Sequence, residues 1–243
     1  MKVVAVIPAR YNSSRFPGKP LVDIAGKPMI SWVYDNVSKS KKFDNVYIAT
    51  DDSRIEEVCK KNNMNYVMTS ADHSNHISRI WEVSNMIEAD FYICVNGDEP
   101  LIDYKMVEEI IPKEIGEVKY FQGAYRVLND PAEVVDPANI KIVLNKDNRC
   151  IYMSRIPVPF PKGTLAFKYY KYVGIECFTK EGLNLFNNNK MGEIEKVEDI
   201  DHLRFLENDC DIYFKEINSN SISVDTPKDL EKVIELISDG KNK

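Results

Sequence analysis

The chain offers no excess of basic charge: 32 lysines and arginines stand against 38 aspartates and glutamates, a net charge of −6. A general nucleic-acid binder needs a basic face to neutralise phosphates, so that class is set aside. Cysteine is scarce and odd in number. Cys59, Cys94, Cys150, Cys177 and Cys210 are scattered, mostly inside apolar runs, which fits buried thiols of a reduced compartment and predicts neither a disulfide nor a zinc site. No apolar run approaches the roughly 20 residues that a membrane helix needs, and no secretory leader is visible, so a cytoplasmic protein without a membrane partner is expected. The G-x-x-x-x-G-K-[ST] phosphate loop and the G-x-G-x-x-G dinucleotide turn are both missing. Repeats, low-complexity tracts and clear linkers are missing too. With 44% hydrophobic residues over 243 positions, a single domain spanning 1–243 with one large core is expected.

What is present starts at Val3–Leu21, V-V-A-V-I-P-A-R-Y-N-S-S-R-F-P-G-K-P-L. An apolar, β-branched strand stops at Pro8 and opens into a loop carrying Arg10, Ser13, Ser14, Arg15, Gly18 and Lys19. Arginine forks and a lysine point charge suit phosphoryl oxygens, and small residues let backbone N–H groups approach them. Prolines and a glycine stiffen the loop, which argues against a merely solvated basic turn.

Downstream, Gly26-Lys27-Pro28 opens a helical pattern to Val37. Strands are expected at Val46–Ala49, Met64–Met68 and Phe91–Val95, with helices through Ile55, Val58, Cys59 and through Ile80, Val83, Ile87. This β-α-β alternation predicts a three-layer α/β fold with a mostly parallel sheet. Beyond Pro100 come a helix at Tyr104–Pro112 and strands at Tyr120–Val127, Ile140–Val143, Cys150–Ser154 and Tyr172–Phe178, a mixed or antiparallel extension. A long loop around Pro157, Pro159, Pro161 and Gly163 follows the third of these. Helices at Glu181–Phe186 and Asp199–Leu206, a strand at Ile212–Lys215 and a closing helix at Asp229–Ile237 complete the pattern.

Ligands of open α/β sheets bind beyond the carboxyl ends of the strands. Those ends carry Arg10, Ser13, Arg15 and Lys19, then Ser70–Arg79, then Asp98-Glu99. Asp98 should face the same crevice as the basic loop, and opposite charges there suit a phosphate with its metal, since Mg²⁺ takes one or two carboxylates plus phosphate oxygens. Asp225, in V-D-T-P, is the candidate second acid; it equally suits the N-cap of the last helix, with Asp98 paired to Arg15. His73 and His76 share a loop and could touch a ligand, but their spacing is weak evidence for a metal.

Six segments in order carry a resemblance: V-I-P-A-R-Y-N-S-S-R-F-P-G-K-P-L, A-T-D-D at 49–52, M-T-S-A-D-H at 68–73, N-G-D-E-P-L-I at 96–102, Y-M-S-R-I-P-V-P-F at 152–160 and V-D-T-P-K-D-L-E at 224–231. Nearly end to end, the chain resembles the CMP-Kdo synthetases, the CTP:3-deoxy-manno-octulosonate cytidylyltransferases. The resemblance implies a nucleotidyltransferase fold, usually dimeric, that uses Mg²⁺ and CTP to make a CMP-activated sugar acid for surface polysaccharide, lipopolysaccharide or capsule. It implies a nucleotide-binding half, 1–112, and an acceptor-binding and dimerisation half, 113–243. Arg10, Ser13, Arg15 and Lys19 would hold the triphosphate, with Ser74 and Arg79 on the nucleotide, and Lys19, Asp98 and Arg10 would carry catalysis. Asp98 and Asp225 match the Mg²⁺ ligands. Arg155 would reach the acceptor's carboxylate or the phosphates, and Glu195 and Glu198 would lie near the acceptor.

Departures from the family pattern cluster. S-N-H-I-S-R replaces the usual S-G-T-D-R, Asn96 a glutamine, Tyr172 a histidine, and Asp201-His202 an E-Q pair. The positions 96, 172, 201 and 202 line the family's acceptor pocket, whereas the triphosphate and metal residues are intact. The expected reaction is therefore in-line attack by an acceptor hydroxyl on the α-phosphorus of CTP, with pyrophosphate leaving. The acceptor is expected to be Kdo or a relative: an amino-substituted analogue, another nonulosonic acid, or a phosphorylated or phosphonate-bearing small acid. A nucleotide-binding regulatory module without turnover is the competing class, and it has no need of both carboxylates and the lysine.

Overall fold

The computed structural model describes residues 1–12, 16–164, 166–218 and 221–241. Strand β1 (Val3–Ala9) is buried along nearly its whole length, as an apolar run flanked on both sides must be. After it come one 3-10 turn, Lys19–Leu21, and a two-residue ribbon, β2 (Asp23–Ile24) with β3 (Lys27–Pro28). Helix α1 (Met29–Val37) therefore starts later than the Gly26-Lys27-Pro28 pattern predicted, because Gly26, at φ 88, turns the ribbon and Pro28 is extended. The first half continues with β4 (Asn45–Thr50), α2 (Ser53–Lys61, capped by Asp52), β5 (Tyr66–Met68), α3 (His76–Met86), β6 (Phe91–Val95) and α4 (Tyr104–Glu109). Strands β6, β1, β4 and β5 lie side by side and parallel, as the alternation predicted.

The second half adds β7 (Phe121–Val127), α5 (Pro131–Val135), β8 (Lys141–Leu144), β9 (Cys150–Ser154), β10 (Tyr170–Phe178), α6 (Lys180–Asn188), α7 (Glu193–Glu198), α8 (Leu203–Glu207), β11 (Tyr213–Glu216) and α9 (Pro227–Lys241). Strand β10 runs antiparallel against β6 and β7, and β11 closes the edge, giving the order β11-β7-β10-β6-β1-β4-β5; β8 and β9 form an antiparallel flap on β10. The antiparallel extension thus follows the expectation. The single helix read over Asp199–Leu206 does not. Asp199 is left-handed, at φ 52, and ends α7; α8 begins only at Leu203. Helix α7 escapes a periodicity reading because a six-residue helix with one buried side chain shows almost no apolar face.

The two faces of the sheet carry separate cores. One packs Ile7, Ile48, Ile93 and Ile175 under α1, α2 and α4; the other packs Val4, Val6, Cys94 and Phe178 under α3, α6 and α8. A satellite cluster of Ile24, Met29, Val224, Val233 and Ile237 clamps α9 beside the ribbon. All five cysteines are buried thiols. No helix among the described residues is long and apolar enough to cross a membrane.

Candidate active site

The site grows from the end of β1. Gly18 adopts φ 73, a left-handed conformation that costs glycine little, and its N–H donates to the Tyr11 carbonyl at 2.8 Å. That closure starts the 3-10 turn at Lys19 and fixes its stem. At the end of β6 Gly97 plays a second part, since a Cβ there would stand 2.9 Å from the Pro8 carbonyl oxygen. The absent side chain lets the two strand ends approach, and Asp98 follows at once. From 127 residues further on, the segment 221–226 is strapped against it: the Val224 N–H donates to the Asp98 carbonyl at 2.8 Å, and the Val224 side chain is fully buried.

Three charges meet at this junction. Lys19 Nζ donates to Asp98 Oδ2 at 2.7 Å and to Asp225 Oδ1 at 3.2 Å. Asp225 is not the cap of the last helix. Thr226 and Asp229 cap it reciprocally, with the Thr226 N–H donating to Asp229 Oδ2 at 3.0 Å and the Asp229 N–H to Thr226 Oγ1 at 3.3 Å. One lysine serves two carboxylates, and Asp98 Oδ1 is buried without a hydrogen-bond partner among the described residues. Burial, with Asp98 and Asp225 nearby, pushes the neighbouring Glu99 up to about 7. Three carboxyl groups, those of Asp98, Glu99 and Asp225, thus stand close together, a donor set that suits a divalent cation.

A cavity of about 370 Å³ opens beside the junction, lined in part by Arg10, Ser74, Arg79, Asn96, Asp98 and Asp201. The structure thus gathers six of the sequence-predicted residues on one cavity. Arg10 is exposed at its rim, 3.5 Å from the Ser74 carbonyl. Arg79 is buried, donates to Thr69 Oγ1 at 2.5 Å and pairs with Asp51 at 3.3 Å, while its Nη2 makes no hydrogen bond among the described residues. Ser13 and Arg15 lie outside the described residues.

Arg155, Glu198 and Glu195 are not brought into this cavity. The Arg155 guanidinium donates to the carbonyls of Glu198 and Asp199, each at 2.7 Å, while the Glu198 carboxylate takes the Ser154 hydroxyl and the Arg155 N–H. They brace the turn that carries Asp199 and Asp201 to the rim. Glu195 forms a buried two-point pair with Arg204 at 2.6 and 2.8 Å and is the one buried side chain of its helix.

Tyr172 and His202 converge instead on a residue that sequence reasoning missed. Glu176 is completely buried, and its carboxylate receives Tyr172 Oη at 2.5 Å, His202 Nε2 at 2.5 Å and His76 Nε2 at 2.9 Å. A register shift in β10 between Val173 and Glu176 brings Glu176 opposite Gly123 and Cys94. Burial alone would raise the Glu176 carboxyl; the two imidazoles outweigh it and hold it well below the usual range. Burial likewise opposes charge on His76, yet Glu176 and then Asp201 carry its pKa up to about 9. Tyr172 is driven well above its ordinary value by burial and then by Glu176. The available signal was a lone acid inside V-G-I-E-C-F. His73 has a different task, bonding Ser78 and Glu82 to tie its loop to α3.

Comparison with known proteins gives the family and the fold. The sequence profile of the cytidylyltransferase family matches residues 4–217. A protein of Shewanella sp. (strain ANA-3) named 8-amino-3,8-dideoxy-manno-octulosonate cytidylyltransferase is 38% identical over 238 residues, covering 96% of this chain and 97% of that one. Its counterpart in Shewanella oneidensis has the same identity and coverage. Among solved structures, a CMP:2-keto-3-deoxy-manno-octonic acid synthetase complexed with CTP superposes with a TM-score of 0.93 at 35% identity, covering 99% of this chain and 100% of the other. The inositol-1-phosphate CTP transferase of T. maritima shares the fold, with a TM-score of 0.69 at 16% identity and coverage of 97% and 94%.

Proposed function

This chain belongs to the cytidylyltransferase family, and from that membership we propose that it transfers CMP from CTP to a hydroxyl of a Kdo-like 2-keto-3-deoxy sugar acid, releasing pyrophosphate. The observation that carries the reading is the junction of Lys19 with Asp98 and Asp225 at the edge of the Arg10 cavity. It combines a phosphate-binding cation with two acids at the meeting point of two strand ends and a strap.

In-line displacement at a phosphorus asks the protein for position and charge more than for covalent chemistry. Lys19 and Arg10 would neutralise the β- and γ-phosphates as pyrophosphate departs, with Ser13 and Arg15 of the same loop beside them. Ser74 and Asn96 would orient the nucleotide and the acceptor. Mg²⁺ fits this group of oxygen donors, and Asp98 and Asp225 would hold it. When bound, the ion would supply Lewis-acid polarisation of the phosphoryl group and lower the pKa of the attacking hydroxyl. Lys19, which spans both carboxylates, would then turn to the phosphates.

The names of the relatives are consistent with an acceptor bearing an amine at its far end as an alternative to Kdo itself. Asp201 on the cavity wall is a carboxylate able to meet such an ammonium. We place the protein in the cytoplasm as a homodimer, supplying an activated sugar for surface polysaccharide. Pyrophosphate release tests the reading: CTP with Mg²⁺ and 3-deoxy-manno-octulosonate, or its 8-amino form, should give turnover that each other nucleoside triphosphate fails to match. Absence of release with CTP and both acids would overturn it.

A further inference from the structure

The acid group of a 2-keto sugar acid sits, in the ring form, on the same carbon as the hydroxyl that attacks phosphorus. Whatever recognises that acid must therefore lie in the cavity that holds Asp98. Three cationic side chains line this cavity among the described residues: Arg10, Arg79 and His76. Arg79 is committed to Asp51 and Thr69, and Arg10 is exposed at the rim. His76 differs from both. It opens α3 on the cavity wall, its side chain is 24% exposed, and its Nε2 is clamped by the wholly buried Glu176, leaving the Nδ1 edge of the ring unbonded and 3.7 Å from Asp201.

We propose that His76, clamped by Glu176, is a specificity-determining residue that receives the acid group of the acceptor through Nδ1–H; this rests on the reading of the chain as a sugar-acid cytidylyltransferase. Glu176 is then a positioning residue, acting through His76 and touching no substrate. The charges facing His76 are Glu176 from β10, Asp201 and His202 from the segment entering α8, and Arg10 from the loop after β1; Tyr172 and Cys94 stand behind Glu176. Two carboxylates against Arg10 keep His76 protonated to about pH 9. Protonation makes Nδ1–H a charge-assisted donor on the cavity wall, where Asp201 also stands at 3.7 Å. His202, packed on Phe121 and Tyr172, holds the other Glu176 oxygen and keeps the clamp from rotating.

His76, Glu176 and His202 place their ligating atoms within 4.8 Å of one another. Hydrogen-bond separations of 2.5 and 2.9 Å favour protons between them. A tetrahedral zinc with bonds of about 2.0–2.1 Å would hold its donors about 3.3 Å apart.

The decisive experiment pairs steady-state kinetics with histidine NMR on the full chain, wild type, Glu176→Gln and His76→Gln. The chain has three histidines, so His76→Gln assigns the signal. His76 should titrate near 9 in the wild type and at or below the ordinary 6.5 in Glu176→Gln, where burial is no longer outweighed. The KM for 3-deoxy-manno-octulosonate should then be at least about thirtyfold higher in Glu176→Gln at pH 8, the ratio of protonated fractions for midpoints of about 9 and of 6.5 or lower. The KM for CTP should stay level, and adding the free sugar acid should shift the His76 resonance even without turnover. A wild-type midpoint near 6.5, a midpoint unmoved by Glu176→Gln, or a His76 signal indifferent to the acid overturns the proposal. So does a pH limb in the CTP KM, which would assign the cation to a nucleotide phosphate, or stoichiometric zinc binding lost in His76→Gln. Loss of all turnover with a responsive His76 signal would fail the sugar-acid transferase reading and leave this contact standing.

Discussion

Asp98 shows how one side chain becomes functional through its neighbours. An apolar strand followed by glycine already marked it in the sequence, because the carboxyl end of a buried strand is where an acid meets ligand rather than core. Asp225 was ambiguous until Thr226 and Asp229 proved to cap α9 between themselves. Removing the charge at Asp98 leaves the cavity shape intact but takes away half of the acid pair that Lys19 spans. Asp98→Asn should lower kcat by about 100-fold with a smaller change in the KM for CTP, measured by pyrophosphate release. Undiminished turnover would contradict the assignment. Glu195 makes the opposite case, since its bidentate pair with Arg204 is internal. Glu195→Gln leaves Arg204 buried without its counter-charge and should cost about 3 kcal/mol in denaturant unfolding, with kinetics per folded molecule unchanged.

Among the elements, the parallel strands and their helices were legible because apolar runs and caps repeat there at the right spacing. What was not legible depends on contacts far apart in sequence. The shift in β10 that buries Glu176 leaves no periodic trace, and Gly174 within it reads like any strand glycine. Helix α7 is too short to show a face, and Arg155 looked like a ligand contact because its commitment to the Glu198 and Asp199 carbonyls depends on a turn 43 residues away. The strap 221–226 is the element on which the site most depends. Its anchors among the described residues include the backbone bond to Asp98, the Lys19–Asp225 pair and the burial of Val224 against α9. Val224→Asp puts an unpaired charge into that satellite core and should release Asp225 from Lys19 while the main sheet stays folded. Circular dichroism near wild type together with activity reduced at least about 100-fold is the expected result; full activity would show that the strap is dispensable.

For the whole molecule, a groove of about 830 Å³ between α5 and the loop 155–169 carries Val135, Ile156, Phe160 and Phe167, with Phe160 81% exposed. Apolar area of this extent is usual where a second surface covers it. A homodimer closing on this groove would account for it, and Phe160→Ser should shift the mass seen by light scattering from two chains towards one. A wild-type protein that is monomeric at micromolar concentration would refute that assembly. The same sheet supports both halves, with the parallel strands behind the Lys19–Asp98–Asp225 junction and the β10 seam behind Glu176. Asp98 and His76 therefore line one cavity, in which the proposed nucleotide chemistry and acceptor choice would meet. The measurement that tests this most directly is identification of the product by mass spectrometry and ³¹P NMR after incubation with CTP, Mg²⁺ and 3-deoxy-manno-octulosonate or its 8-amino form. One phosphodiester-linked CMP sugar per pyrophosphate is predicted. Recovery of CMP and pyrophosphate with no such ester, or of unreacted CTP with either acid, would contradict the account.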